Sequence, residues 1–276
     1  MPKVAVIVLT YNSVSKLGDF FEQVLVSLAN QTFHDYELIF VDNASKDHTV
    51  EYLRASRKNI KRKCTIIGLS SNLGYCGGNN RGAVITRNVD YLFFVNDDVI
   101  LDNNALKMLI DFMENNEEVG ALQPVIVNAD GSRFYGFDVG LGGLGKAITK
   151  PRGYPFSEAF FASGAALMTP SNLFFRAGMF DERLFIYHDD LDYCWRLRLA
   201  GYKAGALTTT WAYHYGSATL GKKSPKSFYY GSRNNIWVVF KNSNLLWALL
   251  RLSVLFPEAF IAFVGYYLIV ERRDPR

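Results

Sequence analysis

The chain has 276 residues, 49% of them hydrophobic, enough to fill the core of one large domain and too many for a disordered chain. The net charge of +4 is mild and comes with no recognition motif, which speaks against a nucleic-acid binder. Cys64, Cys76 and Cys194 show neither paired nor metal-type spacing, as expected of a reducing compartment. The apolar run Val4–Leu9 is too short for a signal peptide, and the turn-like Thr10-Tyr11-Asn12 follows it.

Val4–Leu9 is apolar and β-branched, the pattern of a strand buried on both faces. Leu17, Phe20, Phe21, Val24, Leu25 and Leu28 then recur at helical spacing within Ser15–Asn30. A second strand is expected at Tyr36–Val41, a helix at Asp47–Arg57 and a third strand at Cys64–Leu69. A Gly-rich loop should lead into a helix over Asn79–Arg87. A strand at Tyr91–Val95 and a helix at Asn104–Asn115 follow. This β-α-β-α order predicts a mostly parallel sheet covered by helices. Ligands bind such sheets at the carboxyl ends of the strands, where Thr10, Tyr11, Asn12, Asp42, Asn43, Asp97 and Asp98 all fall.

Residues 128–158 are Gly-rich, with Gly140, Gly142, Gly143 and Gly145, and read either as an acceptor-side loop or lid, or as a plain surface excursion. Phe161–Met168 predicts another strand, with small residues where something packs closely. Helices are expected from Leu173 and over Leu191–Ala200, the latter stopped by Gly201. Leu245–Val270 is almost wholly apolar but is divided by Pro257. It reads as two short apolar helices on or in a bilayer, with a spanning helix and a buried helix pair as alternatives. The basic run Arg54–Lys63 is either a solvated helix end or a patch for anionic lipid headgroups.

Asp189-Asp190-Leu191-Asp192 places three carboxylates in four residues, which a fold tolerates only if a metal, a cation or a raised pKa offsets the charge. An Asp with a raised pKa is a candidate general base. Asn96-Asp97-Asp98 forms a second acidic cluster after a strand, so one active site split across the sequence is expected. Asp98 is either a metal ligand or a capping residue. Asp192 falls at a helix start, where the dipole favours negative charge.

These segments, with Val8-Leu9-Thr10-Tyr11-Asn12, Val41–Asp47, Asn72–Gly82, Tyr213–Ser217 and Tyr229–Asn235, occur in an order that resembles the family 2 inverting glycosyltransferases of the GT-A fold. The nearest likeness is to the rhamnosyltransferase and galactofuranosyltransferase-like branch, over about residues 3 to 240. The resemblance implies an α/β fold with a Rossmann-like, mostly parallel sheet, and transfer from a nucleoside-diphosphate sugar (UDP-, dTDP- or GDP-linked) to a glycan or lipid-linked acceptor. It implies Asp190 as base and Asp189 as its orienting neighbour. Asp98, in the place of the last residue of the family's D-x-D motif, and His214 would hold Mg²⁺ or Mn²⁺, although Asn96 stands where the motif begins. Thr10, Tyr11, Asn12, Asp42, Asn43, Gly74, Asn79, Asp97 and Asp98 would surround the nucleotide sugar. Arg233 would neutralise a phosphate, with an ordinary helix-surface role as the alternative.

The expected organisation is a glycosyltransferase domain over residues 1–240 (nucleotide-sugar half to about 125, acceptor and catalytic half over 126–240) and a membrane-associated segment over 241–276. The expected place of action is the cytoplasmic face of a membrane. A nucleotidyltransferase acting on sugar phosphates is the alternative, but Thr10-Tyr11-Asn12-Ser13 lacks the Gly-rich basic signature it needs; a non-catalytic sugar- or membrane-binding module would not need Asp98 and Asp190 together.

Overall fold

A computed structural model describes residues 2–86, 88–140, 145–216, 224–254 and 257. Arg87, Gly142, Gly143, Ser217 and most of the 245–270 segment lie outside the described residues. The first half follows the expected order. β1 (Val4–Thr10) leads to α1 (Ser13–Leu17) and α2 (Asp19–Ala29), which the sequence pattern had merged into one helix. Gly18, at φ 52° and ψ −130°, breaks them apart, a conformation that glycine adopts without Cβ strain. Then come β2 (Tyr36–Asp42), α3 (Thr49–Ser56) and β3 (Lys63–Gly68). α4 (Gly74–Ile85), β4 (Tyr91–Asn96), the short β5 (Val99–Leu101) and α5 (Ala105–Glu114) complete this half. β1 is flanked by parallel β2 and β4, and β3 pairs parallel with β2. Its apolar run is buried on both faces, as are β2 and the centre of β4.

The segment expected to be a glycine loop is instead the first turns of α4. Glycine is a poor helix former, so tertiary packing decides this segment. A Cβ on Gly78 would lie 2.3 Å from Leu9 Cδ1 and one on Gly82 would lie 2.6 Å from Ile7 Cγ2. The missing side chains let the helix lie directly on β1.

The second half extends the same sheet. β6 (Val119–Asn128) runs parallel to β12 (Lys203–His214), and β11 (Ala166–Pro170) joins β6 to β4 with antiparallel pairing. The described residues of 128–158 form short strands. They carry β7 (Arg133–Phe134), β8 (Phe137–Val139), β9 (Gly145–Ala147) and β10 (Phe156–Ala159). β8 and β9 form a small separate sheet. Phe134, Phe137 and Phe161 stack in a row with centroids 6.2 and 4.9 Å apart, which supplies the local core that this segment needs. The strand expected over Phe161–Met168 starts only at Ala166. The order of the main sheet is β10-β12-β6-β11-β4-β1-β2-β3, with β5 on β12 and β7 on β6. α6 (Ser171–Arg176), α7 (Asp189–Leu199) and α8 (Pro225–Asn242) follow in chain order. Residues 245–254 are helical and expose Leu245, Leu246, Trp247, Leu249 and Leu250. No described helix is long and apolar enough to cross a membrane.

Candidate active site

Strand register brings the polar strand ends together. Thr10 stands opposite Asp42, and Leu9 stands opposite Asn96. A cavity of about 410 Å³ opens at this edge. Of the residues expected in the site, Thr10, Tyr11, Asn43, Gly74, Asp97, Asp98, Asp189, Asp190 and His214 line it; Asn12, Asp42, Asn79 and Arg233 do not.

Those four have other work. Asp42 is buried and accepts from Thr10 Oγ1 at 3.1 Å and from the Ser45 N–H at 2.9 Å. Asn12, at φ 52°, donates its N–H to Ser45 Oγ and accepts from the Lys46 N–H with Oδ1 at 2.7 Å. Both tie the end of β1 to the loop after β2. Asn79 is buried inside α4, with Nδ2 donating to Tyr75 O at 3.0 Å. The Arg233 guanidinium donates to the carbonyls of Arg183 and Leu184. Within the cavity, Asn43 is also a clamp, donating to Gly74 O and accepting from the Leu73 N–H. Gly74 itself has φ +71°, and a Cβ there would lie 2.3 Å from Phe185 O.

Long-range strand pairing assembles the pair Asp98 and His214. Asp98 occupies the turn between β4 and β5, and His214 ends β12 opposite Val99. The Tyr215 N–H donates to Asp98 O at 3.0 Å and the Gly216 N–H to Asp98 Oδ2 at 3.2 Å. Asp98 Oδ1 then lies 3.2 Å from His214 Nε2, yet it is buried without a hydrogen-bond partner. Buried polar atoms in folded proteins are normally satisfied. An orphaned carboxylate oxygen beside an imidazole nitrogen, both facing a cavity, fits a divalent cation. Among the described residues no group of three or more His, Cys, Asp or Glu side chains is placed to hold a metal ion by itself, and a Mg²⁺-type site commonly takes its remaining ligands from water and phosphate. Neighbouring Asp97 accepts from the Ser13 hydroxyl. Burial, and secondarily the charge of Asp98, push its carboxyl up to about 7.

The acidic cluster at α7 resolves into two kinds of carboxylate. Asp189 and Asp190 face the cavity. Burial raises both above the usual carboxylate range, and for Asp189 the adjoining Asp190 charge adds to it. Asp190 Oδ2 accepts from the Gly164 N–H at 3.0 Å and Oδ1 from the Leu191 N–H at 2.8 Å. Asp192 points away and is fully buried. It accepts from Arg196 Nε at 3.0 Å, Lys241 Nζ at 2.9 Å and Asn242 Nδ2 at 2.9 Å. It is therefore the centre of an ion cluster between α7 and α8, more than the dipole partner expected from its position.

Sequence reasoning missed Tyr75 and Gly164. Tyr75 Oη donates to Gly164 O at 2.6 Å, which links α4 to the segment that bonds Asp190. The small run Ala162-Ser163-Gly164 carried a signal, since a Cβ on Gly164 would lie 3.1 Å from Tyr75 Oη and 3.3 Å from Asp189 Oδ2. The loop before α7 carried none. Phe185, Tyr187 and His188 have φ of +67°, +69° and +62°, and non-glycine residues in that region cost about 1–3 kcal/mol each. Burial pushes the His188 imidazole down to about 4, so it is neutral near pH 7.

The profile described as Glycosyl transferase family 2 matches residues 5–183. N-acetylglucosaminyl-diphospho-decaprenol L-rhamnosyltransferase of Mycobacterium tuberculosis is 24% identical over 246 residues, 79% of this chain and 77% of that one. Mannosyltransferase PcManGT of Pyrobaculum calidifontis, solved with GDP-Man and Mn²⁺, superposes with a TM-score of 0.65 at 15% identity, over 99% of this chain and 81% of that one. GalNAc-T7, solved with UDP, GalNAc and Mn²⁺, superposes with a TM-score of 0.71 at 14% identity; the match covers 87% of this chain but only 48% of the GalNAc-T7 chain.

Proposed function

The chain belongs to glycosyl transferase family 2, in its rhamnosyltransferase-like branch and with the GT-A fold; from that premise we propose a single-step, inverting transfer with Asp190 as general base. The donor is a nucleoside-diphosphate sugar and the acceptor a hydroxyl of a glycan or lipid-linked molecule. The observation that carries this reading is the meeting of Asp190 and the Asp98–His214 pair in one cavity.

Each part of the cavity has a role in that step. Thr10 and Tyr11 hold the nucleotide at the β1 end, and a Tyr ring suits stacking on a base. Asp190 takes the acceptor O–H proton while the acceptor oxygen bonds to the anomeric carbon from the face opposite the departing diphosphate. Inversion follows from that in-line displacement. The raised pKa of Asp190 makes it a better base than an ordinary carboxylate. Asp189 lines the cavity beside the base, where it would orient the site. Asp98 Oδ1 and His214 Nε2 would hold Mg²⁺ or Mn²⁺, which would offset charge on the departing diphosphate.

The mycobacterial relative supports a lipid-linked acceptor by its name, and the archaeal structural neighbour supports a nucleotide-sugar donor by its bound GDP-Man. The exposed leucines and Trp247 of the 245–254 helix support a place on a membrane surface. The decisive test is Asp190→Asn. Loss of a general base costs about 10²–10⁴-fold in rate, and donor binding should persist. Transfer within a few-fold of wild type would remove Asp190 from this role.

A further inference from the structure

Asn234 lies in the middle of α8, beyond the segment the family profile matches. It is fully buried. Its Nδ2 donates to Leu184 O and Ile186 O at 2.8 Å each and to Tyr187 O at 2.9 Å. Its Oδ1 accepts from Arg233 Nε at 2.9 Å and Nη2 at 2.7 Å. The chemistry leaves one orientation for this amide. The guanidinium can only donate and the three carbonyls can only accept, so the oxygen faces Arg233 and the NH₂ faces the loop.

The loop so held is the strained one. Positive φ at Phe185, Tyr187 and His188 persists only where the surroundings over-determine the backbone. Other restraints act on it too, among them Arg233 Nη2 donating to Leu184 O at 2.9 Å. Phe185 O accepts from the Cys76 N–H at 3.2 Å, and the Phe185 ring stacks on Tyr230 with centroids 5.2 Å apart. The loop ends at His188, whose carbonyl accepts from the Asp192 N–H at 2.9 Å in the first turn of α7. Asp190 projects from that same turn.

We propose that Asn234 is a positioning residue: its side-chain NH₂ holds the 184–188 loop in its strained path and so aims Asp190 at the acceptor hydroxyl. The proposal rests on Asp190 being the base. Misplacing a reacting group by about 1 Å costs on the order of 10²-fold in rate, without loosening a nucleotide held across the cavity at Thr10 and Tyr11.

Asn234→Asp tests it, because the isostere keeps the volume and the acceptor for Arg233 but turns both loop donors into an acceptor oxygen. Asn234→Ala and Asp190→Asn accompany it. The readouts use Mn²⁺ and whichever UDP-, dTDP- or GDP-linked sugar the wild type turns over. They are nucleoside diphosphate release at saturating donor, the Kd of the matching nucleoside diphosphate, and Tm. Both Asn234 variants should lose about 10²-fold in turnover with Kd within about threefold of wild type. An Asn234→Asp rate within threefold of wild type, beside an inactive Asp190→Asn, overturns the positioning role and leaves the base standing. An active Asp190→Asn instead removes the base on which the proposal rests. Loss of nucleotide binding in step with turnover in both Asn234 variants also overturns it, because it marks general support of the fold.

Discussion

Replacing Asp192 with Ala should destabilise the protein far more than loss of a helix-terminal charge. Asp192 is fully buried, and its carboxylate receives Arg196 and Lys241 at 2.9–3.0 Å and Asn242 at 2.9 Å. Breaking one partner out of a buried ion pair costs about 3–5 kcal/mol, because the other charge is left uncompensated. The lower end applies here. Lys241 keeps Asp181 at 2.8 Å, and Arg196 keeps the carbonyls of Ala177 and Met179. An unfolding entropy of about 2.1 cal/mol/K per residue gives roughly 0.6 kcal/mol/K for a chain of 276 residues. A loss of about 3 kcal/mol therefore lowers Tm by about 5 °C. Were Asp192 only a first-turn charge in the helix dipole, its removal would cost about 0.3–1 kcal/mol, or under about 2 °C. Thermal unfolding of wild type and Asp192→Ala by calorimetry at pH 7 separates the two. A shift below about 2 °C refutes the ion-cluster argument.

Asp98→Ala and His214→Ala should each raise the Mn²⁺ concentration needed for half-maximal nucleoside diphosphate release by at least tenfold; full wild-type activity in excess chelator contradicts the cation site. Asp189 binds its proton more tightly folded than unfolded, so stability should fall as pH rises from about 4, the unfolded value, through the raised folded value. Asp189→Asn removes that penalty and should gain more in Tm over wild type at pH 8 than at pH 4; parallel Tm–pH curves contradict this. Truncation after Asn244 removes the exposed leucines of the 245–254 helix and should release the protein from anionic liposomes while keeping nucleotide binding; a full chain that never pellets with them rules out the membrane role.

The chemistry-bearing strand ends were legible in the sequence because their cause is local. β1, β2 and the centre of β4 are short apolar runs buried on both faces, and Thr10, Asp42 and Asp97 follow where each run stops. The ordered motifs likewise carried the family and its α/β fold, since motif identity needs no coordinates. Tertiary structure decided whatever depended on a distant partner. The glycines of α4 predict a loop by propensity, and only the surfaces of Ile7 and Leu9 make them a helix. Gly216 and Asp98 are 118 positions apart, and only the pairing of β12 with β5 sets His214 beside the orphaned Asp98 oxygen. The sequence set three carboxylates within four residues but did not fix their charge states. Burial raised two of them, for Asp190 against the opposing hydrogen bond from the Gly164 N–H, while Arg196, Lys241 and Asn242 claimed the third. A side chain's type is written in the chain, but its charge state and aim belong to the neighbours that folding brings to it.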